Sequence, residues 1–263
     1  VTGKGDRYFV SLYGGGDLFF SDVEEERMRV RILQEIREKS RQAGGTAFYG
    51  RTWDNGVLSN FSLSYSGLYR ELYENQQVFL KDRDTRISFE ETQYVSSISE
   101  VKFSNQNHIN RWDQHSLMAG GGYIYNRNVF LLDFEDVIYP EGFDHTGRMH
   151  IFIQDNYQIS SVLEVNPGLR IDHPLNQPSI FVQPRIQASV KPAENWKVNG
   201  AWGIYHQFIA KTSILDGLGN YRYFWVIADD KTIPVLRAQH AIGGIVYENG
   251  ATTLSVEPFY KRV

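Results

Sequence analysis

The sequence predicts an all-β fold, with antiparallel strands forming a transmembrane β-barrel, and three observations predict it. The first is alternation. From Leu163 to Asp172, Leu163, Val165, Leu169 and Ile171 share one face, and Glu164, Asn166, Arg170 and Asp172 share the other. The pattern repeats from Val182 to Val190 and again from Lys197 to Gln207, where Val198, Trp202 and Ile204 oppose Asn199, Tyr205 and Gln207. Side chains of a strand point to opposite faces with period two, so these are strands with one apolar and one wet face. The second is what the two faces hold. A soluble antiparallel sheet alternates too, but here the polar face carries long hydrogen-bonding side chains in every strand. The apolar face is capped by aromatics at the turns, such as Trp196 beside Pro192 to Asn195. Apolar outside, polar inside and aromatic at the interfaces is the membrane-barrel pattern. The third is a strict alternation of short and long connections, the asymmetry of an outer-membrane barrel with short periplasmic turns and long extracellular loops.

Composition agrees and excludes other classes. A formal net charge of −4 over 263 residues argues against a general nucleic-acid binder, which needs a clustered basic surface. No run of about 18 apolar residues exists, which excludes a helical membrane span but not strands, whose hydropathy averages out. The absence of cysteine removes disulfides and thiolate metal sites. Aromatic residues make up 14%, a share that suits interfacial belts. The chain opens at Val1 with neither methionine nor signal peptide, the form of a mature product or of a fragment.

In chain order, Arg7 to Tyr13 is the first strand, with Tyr8, Val10 and Leu12 on one face. Ser21-Asp22-Val23-Glu24 has the form of a capping box, so the charged run to Arg41 is read as a helix in a long loop, stopped by Gly44 and Gly45. The same run alternates locally (Met28, Val30 and Ile32 against Arg27, Arg29 and Arg31), which keeps an extended strand open. Thr46 to Trp53 is the second strand, Asp54-Asn55-Gly56 a tight turn, and Leu58 to Glu71 the third strand. A long polar stretch from Tyr73 to about Thr92 precedes the fourth, Tyr94 to Phe103. A turn holding Asn107 and Trp112 leads to the fifth, His115 to Tyr125. Arg127 to Arg148 reads as a long loop. Met149 to Ile159 and Leu163 to Asp172 are the sixth and seventh strands, and a proline-bearing loop from His173 to Ser179 follows. Val182 to Val190 and Lys197 to Gln207 are the eighth and ninth. Ile209 to Ile233 is the longest loop, Val235 to Tyr247 the tenth strand, and Thr252 to Arg262 the eleventh after Glu248-Asn249-Gly250. Loops near Glu25, Asp82, Pro140 and Gly219 are expected at one end. The short turns near Asn55, Asn107, Ser160, Glu194 and Asn249 are expected at the other.

Several of these segments resemble the barrel of TonB-dependent outer-membrane receptors, in the group with a carboxypeptidase-regulatory-like N-terminal extension. The resemblance rests on Tyr8-Phe9-Val10-Ser11-Leu12-Tyr13, on Leu58 to Ser66, and on Gly168-Leu169-Arg170-Ile171-Asp172-His173. It continues in Gln183-Pro184-Arg185, in Trp202-Gly203-Ile204-Tyr205-His206-Gln207 and in Pro258-Phe259-Tyr260-Lys261. It implies a 22-stranded barrel filled by a plug and driven by a TonB-type energy-coupling protein. This chain shows about half of the strands and neither plug nor TonB box, so residues 1–263 are expected to be a partial outer-membrane barrel domain.

Metal and catalytic motifs do not emerge. Asp144, His145 and His150 are ligand types without a fixed local geometry. Asp133, Glu135 and Asp136 lack calcium-loop spacing, and Gly14 to Gly16 and Gly120 to Gly122 lack the phosphate-loop fingerprint; such strand glycines mark bends or close approach of the plug. Asp113, His115 and Ser116 are triad types on neighbouring positions that point apart. No catalytic residue, metal or cofactor is assigned, and a non-enzyme is expected. Arg170, Gln183, Arg185, Tyr205 and Gln207 are expected in the lumen, where contact with the plug is preferred to contact with ligand. Tyr221, Tyr223, Phe224 and Trp225 either clamp a ligand or pack against neighbouring loops.

The expected function is binding and import of a scarce extracellular nutrient across the bacterial outer membrane. The ligand is a small molecule (a siderophore, for example), a glycan or a peptide. Expected partners are the chain's own plug domain, the coupling protein, a surface lipoprotein and outer-membrane lipid, with no nucleic acid. The alternative is a self-contained smaller barrel with a structural, adhesive or enzymatic role.

Overall fold

The computed structural model describes residues 5–134, 137–215 and 221–263, and every regular element in them is a β-strand. The strands are β1 (Arg7–Arg27), β2 (Val30–Thr52), β3 (Leu58–Leu80), β4 (Thr85–Trp112), β5 (His115–Phe134), β6 (Val137–Gln158) and β7 (Leu163–Pro174). They continue with β8 (Phe181–Ala193), β9 (Trp196–Gln207), β10 (Ile209–Leu215), β11 (Tyr221–Ile227), β12 (Leu236–Asn249), β13 (Thr252–Val256) and β14 (Phe259–Arg262). Twelve form one antiparallel sheet in the order β1 to β9, β12, β13, with β14 also on β12; β10 and β11 form a separate hairpin. The last expected strand is thus a single passage interrupted before Phe259, where the Pro258 carbonyl accepts from the Gly243 amide at 3.0 Å. Proline cannot donate to a ladder, so it sits at the interruption.

Residues paired in register share a face, and the pairings place the expected apolar set on one. Val182 pairs with Ile171, Ile186 with Trp202, Val190 with Val198, and Ile245 with both Val198 and Val256. The same face runs on through Ile151, Tyr123, Phe103, Leu63, Ala47 and Val10. Its large apolar side chains stand exposed: Ile151 at 62%, Leu63 at 54% and Ile186 at 45%. The opposite face buries Asp172, His150, Gln183 and Asn126. This inversion of the water-soluble pattern is the main feature of the sheet. Trp53, Trp112 and Trp196 rim the apolar band at the end with short turns, and Tyr65 and Tyr123 rim it at the other.

Five sequence expectations are corrected. The turn expected at Asn107 lies instead at Asp113 and Gln114, because β4 keeps its pairing past Asn107 and runs to Trp112. The segment 22–41 is not a helix: Asp22 to Arg27 finish β1 and Val30 to Arg41 begin β2, paired residue for residue around a turn at Met28 and Arg29. Tyr73 to Thr92 is not a loop but the paired ends of β3 and β4, joined at Lys81 to Asp84. Arg127 to Arg148 largely continues β5 and β6, while Glu135 and Asp136 lie outside the described residues. Ile209 to Ile227 is a hairpin, with the expected loop centre near Gly219 also outside them. The reason is a phase change. Beyond Leu68 and Ile98 the apolar residues move to the formerly polar face, where Leu72, Tyr94 and Leu132 build a small core with Ile36 and Phe130. The outward positions there become charged, as at Lys39 and Glu71. Alternation persists with inverted sign, which reads locally as an amphipathic helix or as polar loop.

Gly120 to Gly122 mark close approach of neighbouring strands. A Cβ on Gly120 would run into the Asn105 carbonyl, and one on Gly122 into that of Phe103. Among the described residues β1 pairs only with β2, and β13 and β14 only with β12, so the sheet is an open wall and not a small closed barrel.

Candidate ligand-facing surface

The polar face centres on Asp172, a fully buried carboxylate. Register brings it together with its partners: His150 and Phe181 pair with Asp172, and Phe152 and Gln183 with Arg170. Arg170 grips Asp172 with two hydrogen bonds, from Nε at 2.7 Å and Nη2 at 2.9 Å, and Gln183 Nε2 donates a third at 2.6 Å. Arg148 Nε lies 3.4 Å away as an ion pair, its guanidinium 4.1 Å from the centroid of the buried Phe208 ring. A carboxylate in a dry position needs this many donors, because an uncompensated buried charge costs several kcal/mol.

Of the five residues expected on the lumen face, Arg170 and Gln183 are therefore committed to Asp172. Arg185 lies 5.8 Å from the Tyr205 ring centroid, and Tyr205 in turn packs 5.0 Å from His240. Arg170 and Arg185 share the rim of a hollow of about 250 Å³ with Gln106 and Gln154. Gln207 is exposed and donates to the Ile209 carbonyl at 2.6 Å, so it fastens the start of the hairpin.

That hairpin, β10–β11, leaves β9 and returns across the polar face to touch β4, β5 and β6. The crossing shows that the sheet curves around its polar side. Tyr94 donates its hydroxyl to the Tyr223 carbonyl, Asn128 donates to the Trp225 carbonyl at 2.8 Å, and Phe224 stacks on Phe130 at 3.9 Å. The aromatic run thus divides: Phe224 and Trp225 are half-buried, while Tyr221 and Tyr223 are exposed. Trp225 and Ile209 close a cavity of about 340 Å³ against Gln42, Ser66, Glu100 and Asn126. The connection to β12 is stiffened by Asp229, whose Oδ1 accepts from the amides of Lys231, Thr232 and Ile233 at 2.9 to 3.0 Å. These amides, Ile233 first, hold the Asp229 carboxyl below its ordinary value, so this brace is present at neutral pH and lost as pH falls through the lowered value. Truncating Phe224 to alanine should undock the hairpin: limited proteolysis should cut within 209–227 at least tenfold faster than in the parent, and equal cutting rates would refute the docking role.

Sequence reasoning missed Asp172 as the hub, and with it Arg148 and His150. Asp172 stood in the quoted segment Gly168 to His173, but its burial was not legible; Arg148 lay in a stretch read as loop. The triad types do not assemble. His115 Nδ1 is 2.6 Å from Asp155 Oδ2, whereas Ser116 donates to Asn110. Among the described residues no cluster of three metal-ligating side chains occurs.

An open antiparallel wall, apolar on one face and polar on the other, has the architecture of part of a β-barrel wall. No family model matches the chain, and no curated protein matches it. Solved structures do. The RagAB peptide importer in its closed-closed state superimposes with a TM-score of 0.54 at 9% identity, over 96% of this chain and 40% of that one. The FpvAI–pyocin S2 complex gives 0.52 at 10% identity, over 97% and 41%. The siderophore receptor PirA from Pseudomonas aeruginosa gives 0.47 at 11% identity, over 95% and 55%. The neighbours are outer-membrane β-barrel TonB-dependent receptors and transporters, and this chain has the fold of their barrel wall. It spans roughly half the length of the solved chains it matches.

Proposed function

We propose that this chain forms part of the barrel wall of a bacterial outer-membrane, TonB-dependent receptor that binds and imports a scarce nutrient. The observation that supports it best is the inverted sheet. Exposed apolar side chains from Val10 to Val256 form a continuous band between tryptophan and tyrosine rims, while Asp172, His150 and Gln183 are buried on the concave side. Such a face is stable against lipid and unfavourable in water. The concave face supplies recognition, not chemistry. Arg185 beside Gln106 and Gln154, and Trp225 beside Glu100 and Asn126, are the surfaces on offer to a plug and to a small-molecule, glycan or peptide ligand. A TonB-type coupling protein and a surface lipoprotein would complete the machine. Arg185 and Tyr205 are assigned to the plug, and Tyr221, Tyr223 and Trp225 to the ligand.

The orientation is testable. Epitope tags at Asp82 should be labelled by antibody on intact cells, and tags at Asn249, at the opposite end of the wall, should not. Labelling of Asn249 alone would invert the topology, and labelling of neither or of both would count against a spanning wall.

A further inference from the structure

On the apolar face, at the end with short turns, a carboxylate stands among exposed apolar residues. Ile151, Ile153 and Asp155 follow one another on that face of β6, since each step of two keeps the side. Asp155 pairs with Leu117, and the next tier toward the short turns joins Trp112, His115 and Tyr157. The carboxylate therefore sits one residue pair, about 7 Å along the strand, on the bilayer side of the tryptophan rim. Its side chain is only 20% exposed, and among the described residues it has one donor, His115 Nδ1 at 2.6 Å from Oδ2. Oδ1 is buried and accepts no hydrogen bond. Asp172, the dry carboxylate of the polar face, takes three hydrogen bonds and an ion pair. His115 is held by stacking flat on Tyr157, with ring centroids 4.2 Å apart. Trp112, His115, Leu117 and Asp155 line a hollow of about 380 Å³.

We propose that this hollow binds the headgroup of an inner-leaflet phospholipid that carries a primary ammonium. The inference rests on the reading of the apolar face as lipid-facing, with the short turns periplasmic. An ionisable side chain at membrane depth is costly and persists where a partner stabilises it. An imidazole that donates from Nδ1 in its neutral form satisfies one oxygen of Asp155 without cancelling its charge, so the hollow is anionic and short of donors. A primary ammonium supplies both the opposite charge and N–H groups. A quaternary ammonium supplies charge alone, and an anionic head is repelled. The exposed Trp112 ring offers its face to the same cation and its indole N–H to the phosphate. Ile153 and Ile151, both exposed, continue from Asp155 into the apolar band, the track of an acyl chain whose head lies in the hollow.

The test uses the full-length protein in nanodiscs of equal parts phosphatidylethanolamine, phosphatidylcholine and phosphatidylglycerol with identical acyl chains. Native mass spectrometry should find phosphatidylethanolamine retained by the parent at least tenfold over either other lipid. Asp155→Asn, which keeps the shape and removes the charge, should lose that preference. Glu71→Gln, on the same face beyond the opposite rim, should keep it. Equal retention of the three lipids by the parent would overturn the proposal without any variant, as would undiminished preference in Asp155→Asn. Phosphoethanolamine that binds in detergent as tightly as the lipid, and is lost in the same variant, would assign the hollow to a soluble amine instead. A dimer of the parent that disperses in Asp155→Asn would assign it to a second copy of the chain. A parent protein absent from the outer-membrane fraction overturns the membrane reading itself. A parent present there without selectivity for phosphatidylethanolamine overturns this inference alone.

Discussion

Replacing Asp172 with alanine should destabilise the folded barrel by about 3–5 kcal/mol, the cost of removing one partner from a buried ion pair. The carboxylate is fully buried and takes two hydrogen bonds from Arg170 and one from Gln183, with Arg148 at 3.4 Å. Without it, two guanidiniums face each other across a site with little water, with side-chain exposures of only 14% and 25%. Asp172→Asn should be milder, because an amide oxygen still accepts from Gln183 or Arg170. The measurement is the urea midpoint of the full-length protein, followed by the heat-modifiable mobility of its folded barrel on gels. A loss below about 1 kcal/mol for the alanine variant would show that the cluster is hydrated and does not hold the wall together.

The second large effect distinguishes the two faces with adjacent residues. Ile186→Arg should cost about 2–4 kcal/mol, the penalty of an arginine near the bilayer midplane on the lipid side of a barrel, whereas Gln187→Arg should leave folding nearly unchanged. Ile186 pairs with Pro167 and Trp202 on the apolar face, and Gln187 with Asn166 and Ala201 on the polar one. Both side chains are exposed in the isolated wall, so exposure alone does not tell them apart. Only lipid on one side makes the two substitutions unequal. Equal yields of folded protein in outer membranes would sink the lipid-facing assignment of Val182, Ile186, Val198, Trp202, Ile204, Leu254 and Val256.

Where strands cross the apolar band, alternation alone located them. Leu163 to Asp172, Val182 to Val190 and Lys197 to Gln207 match β7, β8 and β9 closely, because each is short and keeps one phase throughout. The expected eleven passages of the wall are those of the sheet, with the last interrupted at Pro258. Farther from the band the sequence misled. β2 keeps its alternation from Val30 to Thr52, but Val30, Ile32 and Ile36 are apolar on the face that carries Gln42 and Thr46 lower down. A phase reversal within one strand looks, in a short window, like 3.6-residue periodicity or like polar loop.

The sequence by itself determined which residues share a face, where four of the five expected short turns lie (the one expected at Asn107 falls at Asp113 and Gln114) and that the chain is all strand at the level of the band, since these follow from local alternation. Tertiary structure alone decided three things: that Arg148, Arg170 and Gln183 converge on Asp172, that β10–β11 folds inward to dock on Tyr94, Asn128 and Phe130, and that Trp112, His115 and Asp155 share one hollow. Each of these depends on the register of strands far apart in sequence and on the curvature that brings the hairpin back across the sheet. A period-two pattern fixes the face of a residue but not its neighbour on the next strand, so no local reading of the chain contains them.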